Sequence, residues 1–150
     1  MKPAVQNIVA GFCGVVAGGI AVAGIEGISS LVYPLPDGLD PYDKPAMTEY
    51  VKQLPVGAFV FVLTAWFVGA TVSVAVARRI AVGRNMVPGI VACGLLLLGT
   101  VAMLFQIPHP GWFNFAGIAV YPVGLLVGSK LAAPPDYPAV TATEPDSDST

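Results

Sequence analysis

Apolar positions gather into four long runs, at about residues 8–31, 56–77, 87–107 and 112–131. A helix needs about 20 apolar residues to cross a hydrocarbon core. Strands of a membrane barrel would alternate apolar and polar positions, and these runs do not. Every backbone N–H and C=O in lipid needs an internal partner, which a helix supplies. Breakers separate the runs. Pro34, Pro36, Pro41 and Pro45 follow the first, Arg78, Arg79, Gly83, Arg84 and Asn85 the second, and Pro108, Pro110 and Gly111 the third. The pattern predicts an all-α membrane protein: a four-transmembrane-helix bundle over residues 1–131.

Between the first two runs the period changes. Asp37-Gly38 after Pro36 marks a turn. Asp43 is placed to cap a short helix that tolerates Pro45 in its first turn. Met47, Tyr50, Val51 and Leu54 then recur at helical spacing, with Thr48, Glu49, Lys52 and Gln53 on the other face. This predicts a short amphipathic helix lying at the outer interface, a cap over the bundle or a lid over something beneath it. Tyr33, Tyr50 and Trp112 are expected in an aromatic belt there. Residues 132–150 are rich in Pro, Ser, Thr and acid, too poor in apolar area to offset ordering entropy, and are expected to form a disordered cytoplasmic tail.

Composition agrees with the bilayer as solvent. Charged residues make up 11% of the chain, where a soluble domain carries roughly 25%. Mean hydropathy is +0.76. A net charge of −2 offers no basic surface for nucleic acid. Cys13 and Cys93 both lie in apolar runs, as buried free thiols do, and no clustered ligands suggest a metal site or cofactor.

Lys and Arg set the orientation. With both termini in the cytoplasm, Lys2, Arg78, Arg79, Arg84 and Lys130 lie inside, and Lys44 and Lys52 lie outside. Arg78, Arg79 and Arg84 read as this topology signal, with anionic-lipid contact as an addition. Lys2, the apolar run after it and Ala21-Val22-Ala23 have the layout of a signal peptide. The run is Gly-rich and stays apolar past Ala23, so a retained span is expected.

Small residues form stripes that let membrane helices approach closely. Gly19, Ala23, Glu26 and Ser30 share a face of the first span; Ala65, Gly69, Ser73 and Ala77 share one of the second. Ala92, Gly99 and Gln106 do so in the third, and Asn114, Gly117, Tyr121, Gly124 and Gly128 in the fourth. Gly14 and Gly18 form a further short stripe. Glu26, Gln106 and Asn114 extend their stripes near the outer ends of the spans, just below His109. A carboxylate exposed to lipid is costly, so Glu26 is expected to face protein or water. These residues, with Ser29 and Ser30, form a candidate outer-leaflet polar site. Its structural reading is a hydrogen bond from Glu26 to Ser29, Ser30, Gln106 or Asn114; its functional reading is a proton- or cation-binding carboxylate. Pro122 removes a donor from the middle of the fourth span and predicts a kink there.

Glu26 late in the first span, Tyr33-Pro34-Leu35-Pro36, Leu54-Pro55 and Ile107-Pro108-His109-Pro110 together resemble a group of small four-span bacterial membrane proteins, over about residues 8–131. The resemblance implies a bacterial cytoplasmic (inner) membrane and four helices, and it carries no activity. Some members have a His shortly after the Glu; here Ser29 and Ser30 occupy that region. Small multidrug resistance transporters are also short four-span chains with a Glu in the first helix. Theirs lies near mid-membrane and their loops are short, so that comparison is analogy alone.

The expectation is a non-enzymatic accessory or oligomeric membrane component, with the lipid bilayer, a second copy or another membrane protein as partner. The alternative is a small proton- or cation-coupled transporter using Glu26. One His and no phosphate-binding loop leave little for a hydrolytic site.

Overall fold

Five α-helices follow one another in the computed structural model, which describes residues 2–106 and 109–133. They are α1 (Pro3–Val32), α2 (Lys44–Gln53), α3 (Val56–Ile80), α4 (Val87–Gln106) and α5 (Gly111–Leu131). A short 3-10 turn, Val82–Arg84, joins α3 to α4. Four of the helices, all but α2, are long and apolar enough to cross a membrane. The fold is therefore the expected all-α bundle with a short extra helix. Residues 134–150 of the expected tail, with Ile107 and Pro108, lie outside the described residues.

Local chemistry explains the ends. Pro3 opens α1 in the first turn, where its missing N–H leaves no bond unmade. At 30 residues, α1 is about 45 Å long and outreaches a core of roughly 30 Å. The Asp43 carboxylate accepts the Ala46 N–H at 3.3 Å and caps α2. α2 lies with Val51 buried in the apolar core and Lys52 and Glu49 exposed. The Tyr50 hydroxyl donates to the Pro34 carbonyl at 3.3 Å, which ties α2 to the loop before it.

α3 is the centre of the bundle. Ala65, Ala70, Val74 and Ala77 are fully buried, and Gly69 and Ser73 lie between them. α1 packs on α3 through Ala10, Gly14 and Gly18: a Cβ on Gly14 would stand 2.7 Å from the Ser73 carbonyl oxygen. α5 packs on a neighbouring face of α3 through Gly117, Gly124 and Gly128, with Gly117 under the Trp66 ring and Gly124 against Ala70. α4 lies across the other three through Pro88, Gly89, Ala92, Cys93 and Thr100.

Two of the expected packing stripes are corrected. In α1 the contact face is Ala10-Gly14-Gly18, and a Cβ on Gly19 would meet nothing within 4 Å. In α4 Ala92 is buried, but Gly99 and Gln106 are exposed and Gly99 also faces open space. The shorter Gly14–Gly18 stripe is the one that packs, because spacing alone cannot say which of two adjacent faces meets a neighbour. The stripe of α3 is buried as expected, and so is that of α5 from Gly117 to Gly128, while Asn114 at its start is half-buried.

At the end of the bundle away from α2, the last carbonyls of α5 have no partners within their own helix. Arg78 donates to the Ser129 carbonyl, Arg79 to Leu131 at 2.9 Å and Arg84 to Ala132 at 3.2 Å. Gln6 donates to the Ile80 carbonyl at 2.9 Å, and the Asn7 side chain accepts the Val82 N–H at 3.1 Å. The arginines thus serve as the C-terminal cap of α5, a role that the sequence did not suggest.

The outer surface is apolar. Ile8, Phe12 and Leu31 on α1, Leu98 and Phe105 on α4, and Phe115 and Leu126 on α5 are all more than half exposed. Such a continuous apolar surface marks contact with a membrane. The chain is a multi-pass membrane protein by this measure.

Candidate functional site

The polar residues of the bundle gather along a series of three cavities that starts under α2. The first, of about 260 Å³, lies between α2, the end of α1 and the starts of α3 and α5, and Ser29, Ser30, Tyr50, Val51, His109 and Phe113 are on its wall. The second, of about 240 Å³, shares Ser29, Ser30, Val62 and His109 with it and adds Glu26, Trp66 and Met103. The third, also about 240 Å³, shares Glu26, Trp66 and Met103 and adds Gly19, Gly99, Thr100 and Tyr121 among others. Neighbouring cavities share wall residues, and Glu26 lines both the second and the third.

Each long helix contributes one polar group to the third cavity: Glu26 from α1, Trp66 from α3, Thr100 from α4 and Tyr121 from α5. Trp66 and Glu26 line the same two cavities side by side. The Thr100 and Tyr121 hydroxyls bond to each other, and Tyr121 also donates to the Leu96 carbonyl at 3.4 Å. An indole N–H donates only, so it suits a carboxylate oxygen; hydroxyls both donate and accept. Tyr121 lies ten residues into α5, about 15 Å from its start and so near the middle of a core roughly 30 Å thick. Beyond it, Gly18, Gly69 and Ser73 close the α1–α3 contact toward the arginine end.

Aromatic packing holds the entrance. His109 stacks on Phe113 with ring centroids 4.9 Å apart. Phe113 is fully buried and touches Phe59, Trp66 and Trp112 at centroid distances of 5.2, 5.4 and 5.9 Å. Aromatic rings at these separations add to area burial and fix one another's orientation. Tyr33 meets Phe61 edge-on at 6.1 Å, so Tyr33, Tyr50 and Trp112 all lie at the α2 end.

Of the candidate polar set, Glu26, Ser29, Ser30 and His109 come together. Gln106 is exposed at the last turn of α4, outside these cavities. Asn114 is half-buried, also outside them, and its Oδ1 is buried with no hydrogen-bond partner among the described residues. The Ser30 hydroxyl donates to the Glu26 backbone carbonyl at 2.9 Å, a local helix bond that does not engage the carboxylate. Spacing and composition do not mark Trp66 or Thr100 as site residues. The one available signal was Thr100 itself, the sole hydroxyl residue in the apolar run of α4. Trp66 gave none, since an aromatic beside a small-residue stripe reads as core.

Cys13 and Cys93 are free thiols. Among the described residues no group of three His, Cys, Asp or Glu side chains comes together. No protein-family model, curated protein or solved structure matches this chain.

Proposed function

We propose that the chain is a non-enzymatic multi-pass protein of the bacterial cytoplasmic membrane with both termini in the cytoplasm, and that its working part is the cavity series around Glu26. The reading that the geometry supports best is a small proton- or cation-coupled carrier. The observation behind it is that Glu26 lines two neighbouring cavities, instead of being packed among its partners. Ser29, Ser30 and His109 line the way to it from the α2 end. A carboxylate at membrane depth is a functional candidate by default, and here it has room for a solute. In this orientation α2 and its cap lie outside, so the site is loaded from the extracytoplasmic face.

A second reading, an accessory or oligomeric component, draws on a different observation. Gly24 and Gly27 of α1 and Gly94 of α4 face open space on the surface of the bundle. Small residues there leave room for a helix of a second copy or of another membrane protein.

Proton and monovalent-cation flux into liposomes, for the native chain and Glu26→Gln, tests the choice. A carrier loses flux in Glu26→Gln while its unfolding midpoint is kept. No flux in either protein, with a shifted midpoint in Glu26→Gln, favours the accessory reading.

A further inference from the structure

The third cavity has a second opening. Its walls on α1 and α4 include Gly19, Ala23, Gly99 and Met103. Ala23, Gly99 and Met103 are exposed on the outer surface of the bundle. A Cβ on Gly19 or on Gly99 would meet nothing within 4 Å. The two helices run parallel and touch further down, where Gly14 meets Ala92 and Gly18 meets Leu96. Above Gly18 they leave a gap, and that gap faces the acyl chains of a surrounding bilayer. Glu26, Trp66, Thr100 and Tyr121 stand behind it.

We propose that this gap admits an amphiphile from the outer leaflet, with a primary-ammonium head against Glu26 and an alkyl tail leaving between α1 and α4. The proposal rests on the Glu26 cavity being a working site. The chemistry of the wall selects the head group. Glu26 offers a carboxylate, and Thr100 and Tyr121 offer hydroxyl oxygens; no Lys or Arg lines the cavity. An ammonium donates three hydrogen bonds and accepts none, so it matches the carboxylate and hydroxyl oxygens of this wall. Its charge gains from the carboxylate. A carboxylate or sulfate head would meet Glu26 with like charge and find no cation.

Size selects the rest. At about 240 Å³, the cavity is smaller than the roughly 300–1,000 Å³ of sites that enclose a drug-sized ligand. It holds a head group and the first methylenes. The remaining tail lies against Val22, Leu96 and Met103 and then in lipid, where no apolar surface is exposed to water. A free alkylamine and the ethanolamine head of a phospholipid both carry this ammonium chemistry.

The test uses the full chain with Trp112→Phe, which leaves Trp66 as its one tryptophan. The protein is reconstituted in phosphatidylcholine vesicles and titrated with dodecylammonium and, separately, with dodecanoate, a matched anion that partitions into the same bilayer. A saturable change in Trp66 emission is expected with dodecylammonium and not with dodecanoate. Glu26→Gln is expected to weaken it by about tenfold or more. Gly99→Leu, which fills the gap from a position with free space, is expected to abolish it without lowering the unfolding midpoint. Phosphatidylethanolamine added to the vesicles competes if the lipid head is the natural occupant and does not if a free amine is; ammonium-selective saturation supports the site either way. Equal responses to the two amphiphiles, or a response unchanged by both Glu26→Gln and Gly99→Leu, would overturn the proposal. Glu26-dependent ion flux without ammonium-selective binding would overturn it too, while leaving the proton or cation carrier standing.

Discussion

Gly18 on α1 passes Gly69 on α3 so closely that a Cβ on Gly18 would stand 2.7 Å from the Gly69 carbonyl oxygen. One residue later, a Cβ on Gly19 would meet nothing within 4 Å. The pair divides α1 into a face that seals the bundle and a face that borders the cavity. Overpacking usually costs about 1–3 kcal/mol. Gly18→Leu is expected at the top of that range or beyond, since backbone opposes it, whereas Gly19→Leu should change stability by no more than about 0.5 kcal/mol. Unfolding by SDS titration of the reconstituted chain measures both. Equal losses would mean that α1 does not sit on α3 by the Gly14–Gly18 face.

The Thr100–Tyr121 bond joins α4 to α5 at the deep end of the cavity series. Thr100→Val and Tyr121→Phe each keep shape and remove a hydroxyl. Hydrogen bonds between membrane helices average about 0.6 kcal/mol in double-mutant cycles. A coupling of that size is expected between the two substitutions. Strict additivity would show that the hydroxyls do not act as a pair.

Arg78, Arg79 and Arg84 hold the last carbonyls of α5. Replacing Arg78 by Ala removes a charged donor whose bond is worth roughly 1.5–3 kcal/mol. Hydrogen exchange over residues 126–133 should speed up, with α1 unchanged. Arg78→Lys keeps the charge that sets topology but loses the second contact, from Nε to the Arg84 carbonyl at 3.2 Å, and should restore only part of the protection. Full protection in Arg78→Ala would leave the arginine as a topology signal alone.

Asp43 caps the helix that covers the entrance. Losing an N-cap costs about 1 kcal/mol. In a chain with Cys13→Ala and Cys93→Ala, a Ser29→Cys probe should react with a membrane-impermeant maleimide added outside. Adding Asp43→Ala should raise the rate by about fivefold, the factor that 1 kcal/mol gives in an opening equilibrium. Labelling only from the cytoplasmic side would reverse the orientation proposed here. A rate unchanged by Asp43→Ala would mean that α2 does not gate the first cavity.

The four spanning helices and the short capped helix are legible in the chain alone, because each depends on local properties. A run of about 20 apolar residues has to be a helix if it sits in lipid, and Asp43 with Pro45 announces a helix start wherever it lies. The buried stripes of α3 and α5 were legible for the same reason, since on these helices Ala65-Gly69-Ser73-Ala77 and Gly117-Gly124-Gly128 are the small faces that packing uses. Only the tertiary structure decided which face of α1 and α4 meets a neighbour. Gly14 and Gly19 look alike in sequence, and the position of α3 alone makes one a contact and the other a cavity wall. The neighbour of Glu26 was hidden likewise: Trp66 is forty residues away in the chain, and only the packing of α1 on α3 brings the two to the same cavities. Local pattern specifies helices because their bonds close within a few residues; a site shared by four helices depends on how they cross, which no single stretch of chain encodes.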